Sequence, residues 1–377
     1  MRISIITVSY NSAGTIERTI KSVIQQDYGD VEYIVIDGGS TDGTVDVIRK
    51  YEKKIFFWLS EPDEGIYDAM NKGIRRATGE IIAFLNSDDW YQKNILSEVA
   101  EQFQDNNTQI VCGDVYYHQE GNTTKWHVNE GKVRRQIRFR MGFFHPAMFA
   151  RKNLFEKYGG FDTKYRITAD YDWLLRVYDR HVKIAVIDKV LTNFSDGGVS
   201  TKDEIRQLDE RMQVSVSAVE RNAEMTEKEK AEWRKRIEFQ NDNDKYICKM
   251  KTILKSRILE KNPAILSRTR EVFRQARYSV FGCGAIGRQV AAILNAVDIP
   301  VTQIWDNNEK NWGKDIEGIK IRDPAYMDDW KDVVIIASTD YEEEIEAQLI
   351  EKGFVRDVHY LRYSDLRRRI VDAVEAG

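Results

Sequence analysis

The chain has few cysteines, no long apolar run and no charge excess of either sign. Its 3 cysteines, Cys112, Cys248 and Cys283, are far apart and show no metal-ligand spacing, which fits a reducing compartment. No apolar stretch approaches the roughly 20 residues that span a bilayer, so a membrane-embedded enzyme is excluded. The start, Met1-Arg2-Ile3-Ser4-Ile5-Ile6, lacks the basic, apolar and small-residue segments of a secretory leader and reads as a first buried strand, so the expected location is the cytoplasm. A net charge of -4 gives no electrostatic case for a nucleic-acid partner. What is there is ordinary for a soluble globular protein: 42% hydrophobic and 31% charged residues over 377 positions, enough for two or three domains with their own cores.

Residues 1 to about 200 alternate strand and helix signals, the pattern of an α/β layer with a mainly parallel sheet. Strands are expected at Ile3 to Val8, Val31 to Asp37, Ile55 to Leu59 and Ile81 to Leu85. Between them Ile16, Ile20, Val23 and Ile24 recur at helical spacing, as do Met70 and Ile74 before Gly79. Polar clusters follow the strands. Because ligands of open α/β sheets bind outside the carboxyl ends of the strands, Thr7 to Asn11, Asp37 to Thr44 and Asn86 to Asp89 are expected to meet along one edge.

Each cluster has a chemical reading. In Asp37-Gly38-Gly39-Ser40-Thr41-Asp42-Gly43-Thr44 the glycines permit close approach, and Asp37 offers a carboxylate acceptor to a base N–H or a ribose hydroxyl; a plain glycine-rich turn explains the stretch equally well. Asp68 and Lys72 stand at i,i+4 on one helix face, a spacing that a surface ion pair also accounts for. Asp88-Asp89 ends the run Ile81-Ile82-Ala83-Phe84-Leu85, and such a pair suits a hard divalent cation that also holds substrate phosphates. Asp89 is expected to face solvent there. Taken alone, the pair would be read as a turn with a solvated acidic cap.

Together, Thr7-Val8-Ser9-Tyr10-Asn11, Asp37 to Thr44, Gly65-Ile66-Tyr67-Asp68-Ala69-Met70-Asn71-Lys72-Gly73 and Phe84-Leu85-Asn86-Ser87-Asp88-Asp89 closely resemble the family-2 glycosyltransferases of GT-A fold. The resemblance covers residues 1 to about 200. It implies an inverting transferase using a nucleotide-activated sugar, a UDP-sugar favoured. The donor would be held by Thr7, Ser9, Tyr10, Asp37, Asp68, Asn71, Lys72 and Asp88. Asp37 and Asp68 would lie near the nucleoside, Asp88 near ribose and diphosphate, and Asp89, with Asp88, on Mn²⁺ or Mg²⁺.

Further stretches look like the later family motifs: Phe143-Phe144-His145-Pro146-Ala147-Met148-Phe149, Tyr158-Gly159-Gly160-Phe161-Asp162, and Ile167 to Arg176. Relatives commonly carry Glu-Asp before an apolar helical run, with the Asp as general base. That Asp matches Asp170, while the Glu position is Ala169. Asp172 competes, since carboxylates at i,i+2 cannot share a helix face; the motif match favours Asp170. A positioned carboxylate that takes a sugar hydroxyl's proton supplies roughly 10²- to 10⁴-fold. Many relatives have a His on the loop after the base, where this chain reads Asn193-Phe194-Ser195-Asp196-Gly197-Gly198-Val199-Ser200. Asp196 replacing that His as a ligand and a mobile lid on the paired glycines both stay open, the lid preferred. A Gln-x-x-Arg-Trp motif and membrane helices, typical of processive members, are missing, which argues for one sugar per acceptor.

Residues 201–276 read as a charged helical linker of two or more helices, with Ile205, Leu208 and Met212 near helical spacing. From Lys245 to Arg277 ten Lys/Arg face two Glu, a balance of +8, interleaved with Ile253, Leu254, Ile258, Leu259, Ile265 and Leu266. Such a stretch can lie on an anionic membrane surface, here the inner face of the cytoplasmic membrane near a lipid-linked acceptor, or form a solvated helix packed on a domain. Residues 277–377 open with a strand and Gly282-x-Gly284-x-x-Gly287 leading into a helix, with Asp306 ending the next strand about 20 residues on, the dinucleotide fingerprint in its usual context. This smaller domain resembles the Rossmann-like domains that accompany sugar-modifying enzymes. Binding of a nucleotide or NAD and a structural or oligomerising role stay open for it. The expected architecture is therefore α/β throughout: a GT-A domain over 1–200, a helical linker, and a smaller Rossmann-like domain. The leading reading is transfer of one sugar to a glycan or lipid-linked acceptor in surface polysaccharide synthesis. A bifunctional enzyme using NAD and an inactive sugar-nucleotide sensor compete; the intact Asp88, Asp89 and Asp170 argue against the sensor.

Overall fold

Ile3–Ser9 is buried along its whole length because it is a central strand covered on both faces. This strand, β1, is followed by β2 (Val31–Asp37), β3 (Phe57–Ser60), β4 (Ile81–Phe84), β5 (Trp90–Tyr91), β6 (Thr108–Gln119), β7 (Asn122–Trp126), β8 (Met148–Arg151) and β9 (Lys183–Ser195). They form one sheet in the order β3-β2-β1-β4-β8-β6-β9-β5, with β7 hairpinned onto β6. The computed structural model describes residues 1–119, 121–198, 203–273, 277–316, 318–327, 332–338 and 341–376. It divides into two units, Met1–Asn241 and Asp242–Gly377.

In the first unit β1, β2, β3 and β4 are mutually parallel, and β8 then runs antiparallel to both β4 and β6. Alternating side chains feed two cores, as a period of two requires. Ile6, Ile34, Ile36, Ile82 and Phe84 meet Met70, Trp173 and Leu174 on one face. Ile3, Ile5, Tyr33, Val35 and Ala83 meet Ile16, Ile20, Val23 and Val99 on the other. The Ile16–Ile24 helix buries Ile16, Thr19, Ile20 and Val23, a stripe spaced for one helical face. Register puts Ser9 opposite Asp37 and Asp37 opposite Ser60, so the polar loops leave the parallel strands together at one edge.

The helix Glu204–Arg221, within the span read from sequence as linker, packs on the Ala169–Tyr178 helix, with Val214 and Ala218 in the same core as Trp173. A 30-residue helix, Glu227–Ser256, then carries the chain across the division at Asn241/Asp242.

The second unit contains β10 (Tyr278–Phe281), β11 (Val301–Trp305), β12 (Asp315–Ile316), β13 (Ile319–Arg322), β14 (Val333–Ile336) and β15 (Tyr360–Arg362) in the order β12-β13-β11-β10-β14-β15. Every neighbouring pair is parallel except β12 with β13, giving a second, smaller α/β sheet domain. Its core takes in Met250, Ile253, Leu259 and Ile265, and Leu254, Ile258 and Leu266 pack against it. The apolar side of the basic stretch is thus packed inside this domain, as the solvated-helix reading of it expects. Among the described residues no helix is long and apolar enough to cross a membrane.

Candidate active site

The loops at the sheet edge are tied to one another through side-chain caps. Asn11 N–H donates to Ser40 Oγ at 2.8 Å, Thr41 N–H to Asn11 Oδ1 at 3.0 Å, Ser12 N–H to Thr44 Oγ1 at 2.8 Å and Ala13 N–H to Asp42 Oδ2 at 3.0 Å. Asp37 is fully buried at their centre. Its Oδ1 accepts from the hydroxyls of Ser9 and Ser40, and its Oδ2 from the N–H groups of Gly39 and Ser40 and the hydroxyl of Ser60. Burial pushes its pKa up, but those hydrogen bonds, Ser40's foremost, outweigh it and hold the carboxyl below its ordinary value. Both oxygens thus accept from the ends of β1 and β3 and from Asp37's own loop. Thr7, also completely buried, accepts from the Tyr33 hydroxyl at 3.1 Å, so it too faces the interior. Tyr10, at 67% exposure, is the open side chain of this strand end.

The Ile66–Arg76 helix supplies Asp68, Asn71 and Lys72. Lys72 Nζ lies 3.4 Å from Asp68 and 2.9 Å from Glu61, the ion pairing its spacing allows. Asn71 exchanges two hydrogen bonds with the backbone of Phe161, Nδ2 to O and N to Oδ1, both at 2.9 Å. Its amide clamps the Tyr158-to-Asp162 loop, whose other side is held by Arg176 at the carbonyls of Tyr158 and Gly160.

Asp89 does not face solvent. It is 1% exposed, because β5 follows at once and pairs with β9, carrying Ser195 over the carboxylate. Ser195 N–H donates to Asp89 Oδ1 at 2.9 Å, Asn86 Nδ2 approaches Oδ2 at 3.3 Å, and Thr19 Oγ1 donates to the Asp89 carbonyl at 2.6 Å. Burial, with the charge of Asp88 beside it, holds the Asp89 carboxyl well above the usual carboxylate range. Asn86 Oδ1 is buried without a hydrogen-bond partner. A buried carboxyl with too little positive charge nearby to favour its charged form, beside a second carboxylate and an orphaned amide oxygen, is an oxygen donor set that suits a hard divalent cation, so these residues fit the metal that the sequence implies. Arg18 stacks 3.4 Å from the Trp90 ring centroid and donates to the Asp88 carbonyl at 2.9 Å. The loop after β9 runs alongside: a Cβ on Gly198 would stand 3.9 Å from Asp88 Oδ2. Asp196 accepts from Gln119 Nε2 at 2.8 Å, and Val199 and Ser200 lie outside the described residues.

A second group with metal-ligand chemistry, Asp114, His127 and Asp188, was not foreseen. Lys125 Nζ already sits 2.9 Å from the buried Asp114 carboxylate, while His127 and Asp188 are exposed. A cation there would have to displace that ammonium, so the Asp88-Asp89 turn is the better fit.

Asp170 and Asp172 have different surroundings. Asp172 is buried and paired with Arg176 at 2.9 Å and Arg221 at 3.2 Å. Asp170 is partly open; its Oδ1 accepts from the Tyr67 hydroxyl and the Tyr171 N–H, each at 2.9 Å, and its Oδ2 lies 3.7 Å from His145 Nδ1. Tyr67 and His145 belong to motifs the sequence offers, yet nothing in their spacing points to Asp170. Glu210 was missed entirely. From the Glu204–Arg221 helix its carboxylate accepts the N–H groups of Arg166, Ile167 and Thr168, fixing the loop that leads into the Asp170 helix.

In the second unit, Gly282 has φ +108 and Gly287 lies so close to the loop that a Cβ there would stand 1.9 Å from Gly282 O. Both glycines are explained by packing. A Cβ on Gly284, at the helix N-cap, would meet nothing within 4 Å. Asp306 ends β11 as expected, but its Oδ2 accepts Cys283 N–H at 2.9 Å and its Oδ1 accepts Asn308 N–H at 2.8 Å, which ties it to the glycine loop.

A parallel sheet whose polar loops converge beside an Asp-Asp turn, continued by antiparallel pairing through β8 and followed by a helix that carries a second carboxylate, Asp170, is the architecture of a GT-A-type nucleotide-sugar transferase. Residues 4–161 match the glycosyl transferase family 2 model, and residues 275–357 match a C2185-like, N-terminal family. An uncharacterized glycosyltransferase of Mycobacterium tuberculosis is 35% identical over 184 residues, 46% of this chain and 68% of that protein. A PGL/p-HBAD biosynthesis glycosyltransferase of the same species is 30% identical over 204 residues, 52% of this chain and 78% of that one. The crystal structure of Staphylococcus aureus TarS 1-349 in complex with UDP-GlcNAc shares the fold, with a TM-score of 0.51 at 20% identity over 63% of this chain and 71% of that one. The chain belongs to glycosyltransferase family 2.

Proposed function

We propose that the protein is a metal-dependent, inverting glycosyltransferase that moves one sugar from a nucleotide-diphospho-sugar to a hydroxyl of a glycan or lipid-linked acceptor. The reading rests on one observation above the rest: buried Asp89 and orphaned Asn86 Oδ1 beside Asp88 in the same unit as the partly open, rigidly held Asp170. Asp88 and Asp89 would hold Mn²⁺ or Mg²⁺, which when bound neutralises charge on the departing diphosphate. Asp170 Oδ2 takes the proton of the acceptor hydroxyl as that oxygen attacks the anomeric carbon, and the nucleoside diphosphate leaves from the opposite face. One displacement inverts the centre, so no glycosyl-enzyme forms. The Asp37 network shapes the loop over which the nucleoside would lie, and Tyr10 offers it an open ring.

A UDP-sugar is the first donor to try, since the TarS structure of the same fold was solved with UDP-GlcNAc. A surface glycan is the proposed product class, in line with the relative named for PGL/p-HBAD biosynthesis. The test is a thermal-shift panel of nucleotide sugars with and without Mn²⁺, followed by transfer assays. One donor should raise the melting temperature more with Mn²⁺ than without it. Asp89→Asn should abolish that increment and transfer together. Transfer at an unchanged rate in excess chelator would end the metal assignment.

A further inference from the structure

His145 is buried, with 8% of its surface exposed, and its Nε2 has no hydrogen-bond partner. The ring sits in an aromatic box, 5.1 Å from Phe84 and 5.6 Å from Phe161 between centroids. Pro146 follows it in a short 3₁₀ turn, and the Pro146 carbonyl is pinned by Thr192 Oγ1 at 2.9 Å. The imidazole therefore has a fixed place. A box of phenylalanines would accept an apolar ring without leaving a polar atom unsatisfied, so packing alone does not explain an imidazole there.

Burial lowers the His145 pKa against the pull of Asp170, which keeps the ring neutral with one N–H. Two tautomers remain. With the proton on Nε2, a buried donor would lack an acceptor and the Nδ1 lone pair would face the Asp170 carboxylate. With the proton on Nδ1, the N–H points at Oδ2, 3.7 Å away, and only a lone pair is left unpaired at Nε2. The second arrangement costs less. At 3.7 Å the contact is longer than a hydrogen bond, but such contacts often tighten when substrate enters.

We infer that His145 is a positioning residue for Asp170, its Nδ1–H restraining Oδ2 while Tyr67 and the Tyr171 N–H restrain Oδ1, so that the carboxylate presents a fixed lone pair to the acceptor hydroxyl. The inference rests on Asp170 being the base. Without His145 the carboxylate is held on one oxygen and can swing about it. Loss of aim at a reacting atom costs roughly 10- to 100-fold in rate and leaves donor binding alone.

The 377-residue chain with His145→Phe, His145→Leu or His145→Asn, each alone and in an Asp170→Asn background, provides the test. Phe and Leu remove the donor, and having two such variants guards against one failing to fold. Asn keeps an N–H near the position of Nδ1. The expected result is kcat down about tenfold or more for Phe and Leu with the donor KM unchanged, and recovery to within a few-fold for Asn. No further loss should follow when Phe or Leu is added to Asp170→Asn. Full kcat in the donor-less variants, equal loss in all three, or the same fold-loss on top of Asp170→Asn would overturn the inference while leaving the base in place. An Asp170→Asn enzyme at wild-type rate would instead remove the base assignment, and the role of His145 with it.

Discussion

Glu210 accepts the main-chain N–H of Ile167 at 2.7 Å, a contact that joins the helix after the sheet to the loop before Asp170. With Arg166 and Thr168 donating to the same carboxylate and Arg206 beside it at 3.0 Å, the helix Glu204–Arg221 is a working part of the first unit.

A chain cut after Gly198 should therefore fail to fold, whereas one ending at Asn241 should melt cooperatively. The shorter fragment loses Glu210 and also Arg221, one of the two cations on buried Asp172. In the full chain Glu210→Ala leaves three N–H groups without their charged acceptor and should cost roughly 3 kcal/mol or more by denaturant titration. A change below about 0.5 kcal/mol would show the helix to be dispensable.

The two acidic residues of the Asp170 helix should separate cleanly by phenotype. Asp170→Asn is expected to keep its melting temperature and donor affinity but lose roughly 10²-fold or more in kcat. Asp172→Asn breaks a buried pair with Arg176 and Arg221 and should cost about 3–5 kcal/mol of stability. The reverse assignment of the two phenotypes, measured on purified variants, would move the base to Asp172.

Asp37 gives the fold an acid-sensitive element. Its carboxyl is held below the ordinary value, so it binds a proton less readily folded than unfolded, and its contribution is present above the unfolded value of about 3.9. That contribution is lost as pH falls through the folded value. Asp37→Asn should melt lower at neutral pH and show a shallower decline below about pH 4. Parallel melting curves of variant and parent from neutral to acid pH would contradict the network as drawn.

The glycine loop of the second unit should tolerate change at Gly284 and not at Gly287. Gly287→Ala drives a Cβ to 1.9 Å from the Gly282 carbonyl oxygen and should destabilise the unit; Gly284→Val has open space and should fold normally. Calorimetry on residues 242–377, which keep Met250, Ile253 and Leu259 in the core, would use NAD, UDP-sugars and GDP-sugars as titrants. If the helix N-terminus holds a diphosphate, Gly284→Val removes the heat seen with the parent. No heat for any of them would leave the fingerprint as a packing device.

Local spacing was enough to define the elements and the edge where chemistry collects. Period-two and helical spacing placed β1, β2 and β4 within a residue of their ends, and polar residues directly after apolar strands fixed which loops converge. The glycine pattern at Gly282 to Gly287 likewise predicted a strand, a tight turn and a helix. Tertiary structure alone decided which charged groups are open. Asp89 is buried because β9 crosses it, Asp37 is saturated because the ends of β1 and β3 join its own loop in donating to it, and Asp172 is committed to Arg221, 49 residues away. The pairing of His145 with Asp170 and of Glu210 with Ile167 has the same origin. Local spacing governs what a segment becomes, since backbone geometry repeats within a few residues. Desolvation and hydrogen-bond partnership depend on which distant segments arrive at the same point, and the packing of the sheet settles that.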